Sequence, residues 1–175
     1  MLRFAGYALI GCLILAGHAV AKEKLQVGDV PPDVLGKATS GERVKLSDYH
    51  GRIVIVSFWA SWCAPCRKEL PVLANIQKQV SRDHLMVFAV NWKQDRSLYR
   101  QIVKTLKDVD LTIISDESGY VGSRYGVDAI PHMFIIGRDG RIAAIHLGYG
   151  EDEIPALVAE INGLLTAPAE AASGS

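Results

Sequence analysis

Two cysteines in the pentapeptide Trp62-Cys63-Ala64-Pro65-Cys66 are the residues of this chain best suited to chemistry. An apolar run, Ile53 to Trp59, precedes them, and a segment with helical spacing follows. The N-terminus of a helix carries unpaired N–H groups and a partial positive charge, which favour a thiolate over a thiol. Such a setting lowers a cysteine pKa from about 8.5 to about 3.5–7.5. We therefore expect Cys63 to be the nucleophile of a thiol–disulfide exchange and Cys66, one turn further and more buried, to be the resolving thiol.

The cysteine count favours redox chemistry over a static bridge or a zinc site. Of the three cysteines, Cys12 lies in the apolar N-terminal segment, which leaves Cys63 and Cys66 in the rest of the chain. A bridge between residues so close in sequence closes a small loop and stabilises little. A structural zinc site normally needs a second pair of ligands, and no further cysteine supplies one. We expect a redox-active pair.

The N-terminal segment has the pattern of an export signal. Arg3 supplies the positive start, and Ala19-Val20-Ala21 is the small-x-small pattern that signal peptidase cuts. The uncharged stretch from Phe4 to Ala21 is also just long enough to remain as a membrane anchor. A third interpretation uses Leu9-Ile10-Gly11-Cys12 as a lipoprotein signal. We expect residues 1–21 to be a signal peptide or an N-terminal membrane anchor, the only part of the chain that contacts a membrane, and the protein to be periplasmic.

Composition indicates one globular domain. The chain has 175 residues, is 49% hydrophobic and carries no formal net charge, so it can bury a proper core and shows no sign of a nucleic-acid partner. We expect a single monomeric domain over residues 22–165. Residues 166–175 are rich in Ala, Ser and Gly and have nothing to bury, so we expect a disordered tail.

Strand and helix patterns alternate along the chain. Predicted strands lie at 43–46, 53–59, 85–91, 111–114, 132–136 and 141–146; predicted helices lie at 63–82, 95–107, 119–125 and 151–165, with one helical turn at 47–51. The strands at 53–59 and 85–91 lack alternation, which is typical of strands buried on both faces. Asp139-Gly140 predicts a hairpin between the last two strands. In the second helix we expect Leu98 to face the core. The pattern predicts an α/β fold, with a central mixed β-sheet flanked by helices.

The stretch from Phe58 to Arg67, with Glu69 and Pro71 behind it, resembles the active-site region of the thioredoxin superfamily. It is most similar to the TlpA-like exported branch, which includes proteins of cytochrome c biogenesis. Gly126 to Pro131, followed by an apolar strand, resembles the second signature of the superfamily, and Leu46 to Gly51 resembles the lead-in of this branch. The resemblance implies a thioredoxin-like fold, a redox-active Cys63–Cys66 disulfide, and no cofactor.

The resemblance also implies roles for residues around the pair. Trp62 would shield the dithiol and offer contact surface, and Pro65 would set its redox poise. A cis bond before Pro131 would place the backbone of Ile130 against Cys63, ready to pair with a partner strand. The residues alone allow Pro65 to be an ordinary first-turn proline and Pro131 to be a trans proline at an edge strand. Implied partners are protein thiols and disulfides and a DsbD-type membrane reductase, with the chain acting in the reducing direction.

Two departures from the family pattern concern proton transfer. Ser57 stands where thioredoxin has a buried acidic residue, and Gln94 stands where several cytochrome-maturation relatives have a glutamate. We therefore expect Cys66 to lack a titrating neighbour, which casts doubt on a strict role in cytochrome c maturation. Arg67 and Glu69 are expected to cap or solvate the helix.

His132 is a third departure, because many relatives have threonine directly after the proline. It raises the alternative of a copper-binding metallochaperone that uses Cys63, Cys66 and His132. Copper proteins of this fold typically carry a wider Cys-x-x-x-Cys, and a residue one past Pro131 should point away from the pocket, so we expect no metal. A peroxidase is weaker still, because Ala60 stands where peroxidatic relatives have threonine or serine. The sequence predicts a thiol:disulfide oxidoreductase.

Overall fold

The computed structural model describes residues 24–106 and 109–167. The expected signal or anchor, residues 1–21, and all but the first two residues of the expected tail lie outside these ranges. Within the described ranges, none of the helices combines the length and the apolar character needed to cross a membrane.

The element order agrees with the predicted alternation. The strands are β1 (Val34–Lys37), β2 (Arg43–Lys45), β3 (Ile53–Trp59), β4 (Leu85–Trp92), β5 (Thr112–Asp116), β6 (His132–Ile136) and β7 (Ile142–Leu147). The helices are α1 (Ala64–Gln79), α2 (Arg96–Thr105), α3 (Tyr120–Tyr125) and α4 (Ile154–Thr166), and 3₁₀ turns lie at Leu46–Tyr49 and Glu151–Glu153.

The main sheet has the strand order β5-β4-β3-β6-β7. Strands β3, β4 and β5 pair in parallel, whereas β6 runs antiparallel to β3 and β7 antiparallel to β6. Strand β3 lies at the centre with all its residues buried, which explains why its sequence is apolar without alternation. The mixed central sheet predicted from the sequence is confirmed.

The two faces of the sheet bury different side chains, because successive residues of a strand point to opposite faces. Phe58 packs on one face among aromatic rings, with the ring centroid of Tyr125 at 5.3 Å. Trp59 lies on the other face, in a cluster that contains Cys63 and Cys66. Strand β3 therefore ends just before the cysteine pair, and Trp59 at its carboxyl end packs in the same cluster as the two cysteines.

Strand β1 was not predicted from the sequence. It pairs antiparallel with β2 in a small separate sheet, and the pairing is irregular between Val34 and Gly36. Gly36 has a φ of +117°, a backbone conformation that favours glycine. A strand of four residues with an internal glycine has no clear alternation of apolar and polar residues, so the sequence pattern does not predict it.

The expectation for Leu98 is wrong. Its side chain is 51% exposed, whereas Ile102, Val103 and Leu106 of the same helical segment pack against the cluster around the cysteines. Helix α2 contains no fully buried residue. The set of residues on α2 that packs inward is therefore smaller than its apolar residues suggest.

Candidate active site

The cysteine pair lies at the start of α1. Cys63 is the N-cap residue, and the backbone N–H of Cys66 donates to Cys63 Sγ at 3.2 Å. Pro65 lies within the first turn, where its missing N–H removes no helical hydrogen bond. The two sulfurs form a disulfide, and Cys63 is 5% exposed against 0% for Cys66. In the reduced protein the same N–H group and the helix N-terminus would favour negative charge on Cys63.

A segment distant in sequence completes the rim of the site. The carbonyl oxygen of Ile130 lies 3.7 Å from Cys63 Sγ. The Ile130–Pro131 peptide bond is cis, which confirms what the family resemblance implied. Trp62 is 62% exposed beside the pair, whereas Trp59 is 1% exposed and belongs to the core. The rim therefore presents one flat aromatic side chain and one stretch of backbone next to the outer sulfur.

The structure contradicts two expectations: Glu69 neither caps nor solvates the helix, because its side chain is buried, and Cys66 has this buried titratable residue one turn away on α1. Glu69 lies three residues after Cys66, hence on the same face of α1, and is only 2% exposed. Its Oε2 accepts a hydrogen bond of 2.7 Å from the hydroxyl of Ser57 on β3. Burial raises the pKa of Glu69 from 4.5 to about 7, although the Ser57 hydrogen bond and the charge of His146 act in the opposite direction.

The sequence contained a signal for this carboxyl. A glutamate three residues after a buried cysteine must share its helix face, and a serine in the strand below leaves room for it. Arg67, by contrast, is exposed as expected and donates to the backbone oxygen of Ser61 at 2.8 Å.

Gln94 is buried and holds the loop before the cysteines. Its Oε1 accepts from the backbone N–H of Ser61 at 2.7 Å and from Asn91 Nδ2 at 3.3 Å. The side chain is 2% exposed. A neutral amide therefore occupies the position where relatives carry an acid, and its observed contact positions the active-site loop.

His132 does not join the cysteines. Its ring stacks on Phe134 at a centroid distance of 4.6 Å, on the face of the sheet opposite the disulfide. Burial lowers the pKa of His132. In the part of the chain that the structure describes, no group of three His, Cys, Asp or Glu side chains could hold a metal ion. The geometry does not support the copper site proposed from Cys63, Cys66 and His132.

Comparison with known proteins places this arrangement in a family. The model of the Redoxin family matches residues 26–163. The chain belongs to the Redoxin family. It is 36% identical over 126 residues to the thioredoxin-like protein YneN of Bacillus subtilis, covering 71% of this chain and 73% of that protein. It is 29% identical over 139 residues to the thiol-disulfide oxidoreductase ResA of the same organism, covering 79% and 77% of the two chains.

A solved structure agrees with the Redoxin assignment. A Chlorobium tepidum protein assigned as a thiol:disulfide interchange protein DsbE superposes with a TM-score of 0.72 at 33% identity, covering 81% of this chain and 99% of that one. The thioredoxin-like fold and the resemblance to the TlpA-like branch are thereby confirmed. This Redoxin family member is a thiol:disulfide oxidoreductase.

Proposed function

We propose that the chain is an exported, periplasmic oxidoreductase that reduces disulfide bonds in protein partners. The observation that carries this proposal is the Cys63–Cys66 pair at the N-terminus of α1. Cys63 is the more exposed of the two, and the buried carboxyl of Glu69 follows Cys66 by one turn. Cys63 and Cys66 are the catalytic residues of this proposal.

The reaction follows thiol–disulfide exchange. The thiolate of Cys63 attacks one sulfur of the partner disulfide, and the second partner sulfur leaves as a thiolate. Cys66 then loses its proton and attacks Cys63 Sγ, which re-forms the Cys63–Cys66 disulfide and releases the first partner sulfur. Two electrons pass to the partner, whose two sulfurs take up protons from the solvent.

Glu69 supplies a base for the second step. A general base is most effective when its pKa is close to the working pH, and the pKa of Glu69 is about 7. It lies on the same face of α1 as Cys66, so we propose that it accepts the proton of that thiol.

The same carboxyl supports the reducing direction. A negative charge beside the dithiol disfavours thiolates, and strong oxidants of this type depend on a stabilised thiolate form. We expect a reduction potential nearer that of thioredoxin, about −270 mV, than that of DsbA, about −120 mV.

The rim suggests how a partner would bind. Trp62 offers an exposed apolar surface beside Cys63, and the backbone of Ile130 lies across the sulfur. An extended segment of the partner can pair with that backbone while its disulfide contacts Cys63. We assign supporting roles to Pro65, in the first turn of α1, and to Pro131, in the loop before β6. Re-reduction by a DsbD-type membrane reductase is proposed from the family resemblance.

The remaining parts of the proposal rest on the sequence pattern. We propose that residues 1–21 export the chain and leave it free or anchored in the membrane, and that residues 22–165 form one monomeric domain. The chain needs no cofactor, because the electrons reside in the cysteine pair itself.

Two measurements test the function. Equilibration of the Cys63–Cys66 pair with glutathione gives its potential, and a value near that of DsbA would contradict the reducing direction. Cys66→Ala should accumulate a mixed disulfide with a disulfide-containing test peptide, whereas Cys63→Ala should not. If Cys63→Ala forms the adduct as readily, the order of attack is wrong.

A further inference from the structure

A cavity connects the buried carboxyl with the protein surface. It has a volume of about 200 Å³ and lies between α1, the β6–β7 hairpin and the start of α4. Its buried end is formed by Glu69, Met133 and Leu157, and its exposed end by Gly148 and Glu153. Because one water occupies about 30 Å³, the cavity has room for several water molecules beside polar groups. Glu69 thus has an opening to solvent that is not lined by the disulfide.

His146 lines the same cavity from β7, directly opposite Met133 in the register of the β6–β7 pair. Its Nε2 lies 2.8 Å from Oε2 of Glu160 on α4, and the two side chains are 35% and 37% exposed. Histidine gains and loses a proton near neutral pH, which suits it to carry protons between solvent and a carboxyl. A charged His146 also lowers the pKa of Glu69, so the two groups are electrostatically coupled.

We propose that His146, held in place by Glu160, exchanges protons with Glu69 through this cavity. His146 thereby provides a proton route for the resolving step. This inference rests on the proposed function of Glu69. During resolution the proton of the Cys66 thiol moves to the Glu69 carboxylate. It then passes through the cavity to the imidazole of His146 and on to the solvent. No electrons move in these transfers, and both groups return to their starting states.

The other titratable groups around the cavity suit this role less well. Tyr149 and Glu153 also line it, from the loop after β7 and the turn before α4. Among the side chains of the lining, histidine is the residue type suited to exchange protons near neutral pH. Lys68 and Glu151 form an ion pair of 2.9 Å outside this lining. Cys66, the source of the proton, lies one turn before Glu69 on α1 and outside this lining.

The test compares His146→Gln with His84→Gln in the full chain. His84 is an exposed histidine in the loop before β4, remote from this cavity. In the oxidised protein, carbon NMR of the Glu69 carboxyl gives its titration midpoint. In the reduced protein, the rate of exchange with oxidised glutathione is measured against pH. We expect His146→Gln to raise the midpoint and to slow exchange about tenfold at neutral pH. His84→Gln should change neither quantity.

Two further variants separate a proton route from a simple charge effect. His146→Ala should be rescued by added imidazole, which can enter the enlarged cavity. In a Glu69→Gln background, removing His146 should cause no additional loss, because the two substitutions then remove one pathway.

The proposal is overturned if His146→Gln leaves the exchange profile unchanged, whether or not the Glu69 midpoint moves. It is equally overturned if imidazole gives no rescue. An inactive wild-type chain would instead contradict the proposed function, and the carboxyl titration would still show whether His146 and Glu69 are coupled.

Discussion

The hydroxyl of Ser57 donates a hydrogen bond of 2.7 Å to Oε2 of Glu69, and both side chains are buried. This contact joins the central strand β3 to helix α1 directly behind the disulfide. Serine cannot act as a base at neutral pH, but it can hold the carboxyl that we propose as the base. The helix therefore supplies the acidic group that the strand lacks at Ser57.

Glu69→Gln should make the fold more stable at alkaline pH. The pKa of Glu69 is about 7 in the folded chain, against an ordinary value of 4.5, so the folded state binds this proton more tightly than the unfolded chain. Below pH 4.5 the carboxyl is protonated in both states and does not affect stability. Above pH 7 its buried charge lowers the free energy of unfolding by about 3 kcal/mol. Urea unfolding of the oxidised wild type should show this loss between pH 4.5 and 7, and the variant should lack it.

The matched control is Glu117→Gln, because Glu117 is exposed. This variant should keep the wild-type dependence on pH. An equal slope in wild type and Glu69→Gln would show that the Glu69 carboxyl does not titrate near 7.

Ser57→Ala should raise the pKa of Glu69 further, because it removes the donor that favours the carboxylate. Leaving a buried acceptor without its partner costs about 1–3 kcal/mol. That cost should be largest above pH 7, where the carboxyl is charged, and smaller below pH 4.5. Carbon NMR gives the midpoint, and urea unfolding at pH 4 and pH 8 gives the two costs. A penalty that is the same at both pH values would mean that Ser57 acts only through packing.

Gln94→Leu and Gln94→Glu should have different effects on the active-site loop. Leucine leaves the half-buried N–H of Ser61 without its acceptor, which should cost about 1 kcal/mol in urea unfolding. Glutamate keeps an acceptor for that N–H but adds negative charge near Cys63, so it should slow alkylation of the reduced thiol by iodoacetamide. If both variants behave alike in both assays, Gln94 does not position the loop.

Leu98→Ala should change the free energy of unfolding by no more than about 0.5 kcal/mol, because a half-exposed side chain leaves no cavity when it is shortened. The same truncation at Leu73, which is fully buried on α1, should cost about 2–5 kcal/mol. Urea denaturation compares the two directly. A large loss at Leu98 would indicate that α2 packs more deeply than the structure has it.

The sequence by itself determined the local frame of the site. The apolar run of β3, the proline in the first helical turn and the position of Cys63 at the start of the helix are properties of neighbouring residues, and all were predicted. The hairpin of β6 and β7 followed in the same way, because turn residues act within a few positions.

Only the tertiary structure decided which distant groups meet at the dithiol. The carbonyl of Ile130 contacts Cys63 although the two residues are 67 positions apart in sequence. Glu160 of α4 contacts His146 of β7. Burial of Glu69 depends on how α1 packs on β3, and its raised pKa is a consequence of that burial. Local patterns report neither packing nor desolvation. The sequence therefore showed the chemistry of the cysteines and placed Glu69 one turn after Cys66, but it did not show that the carboxyl is buried.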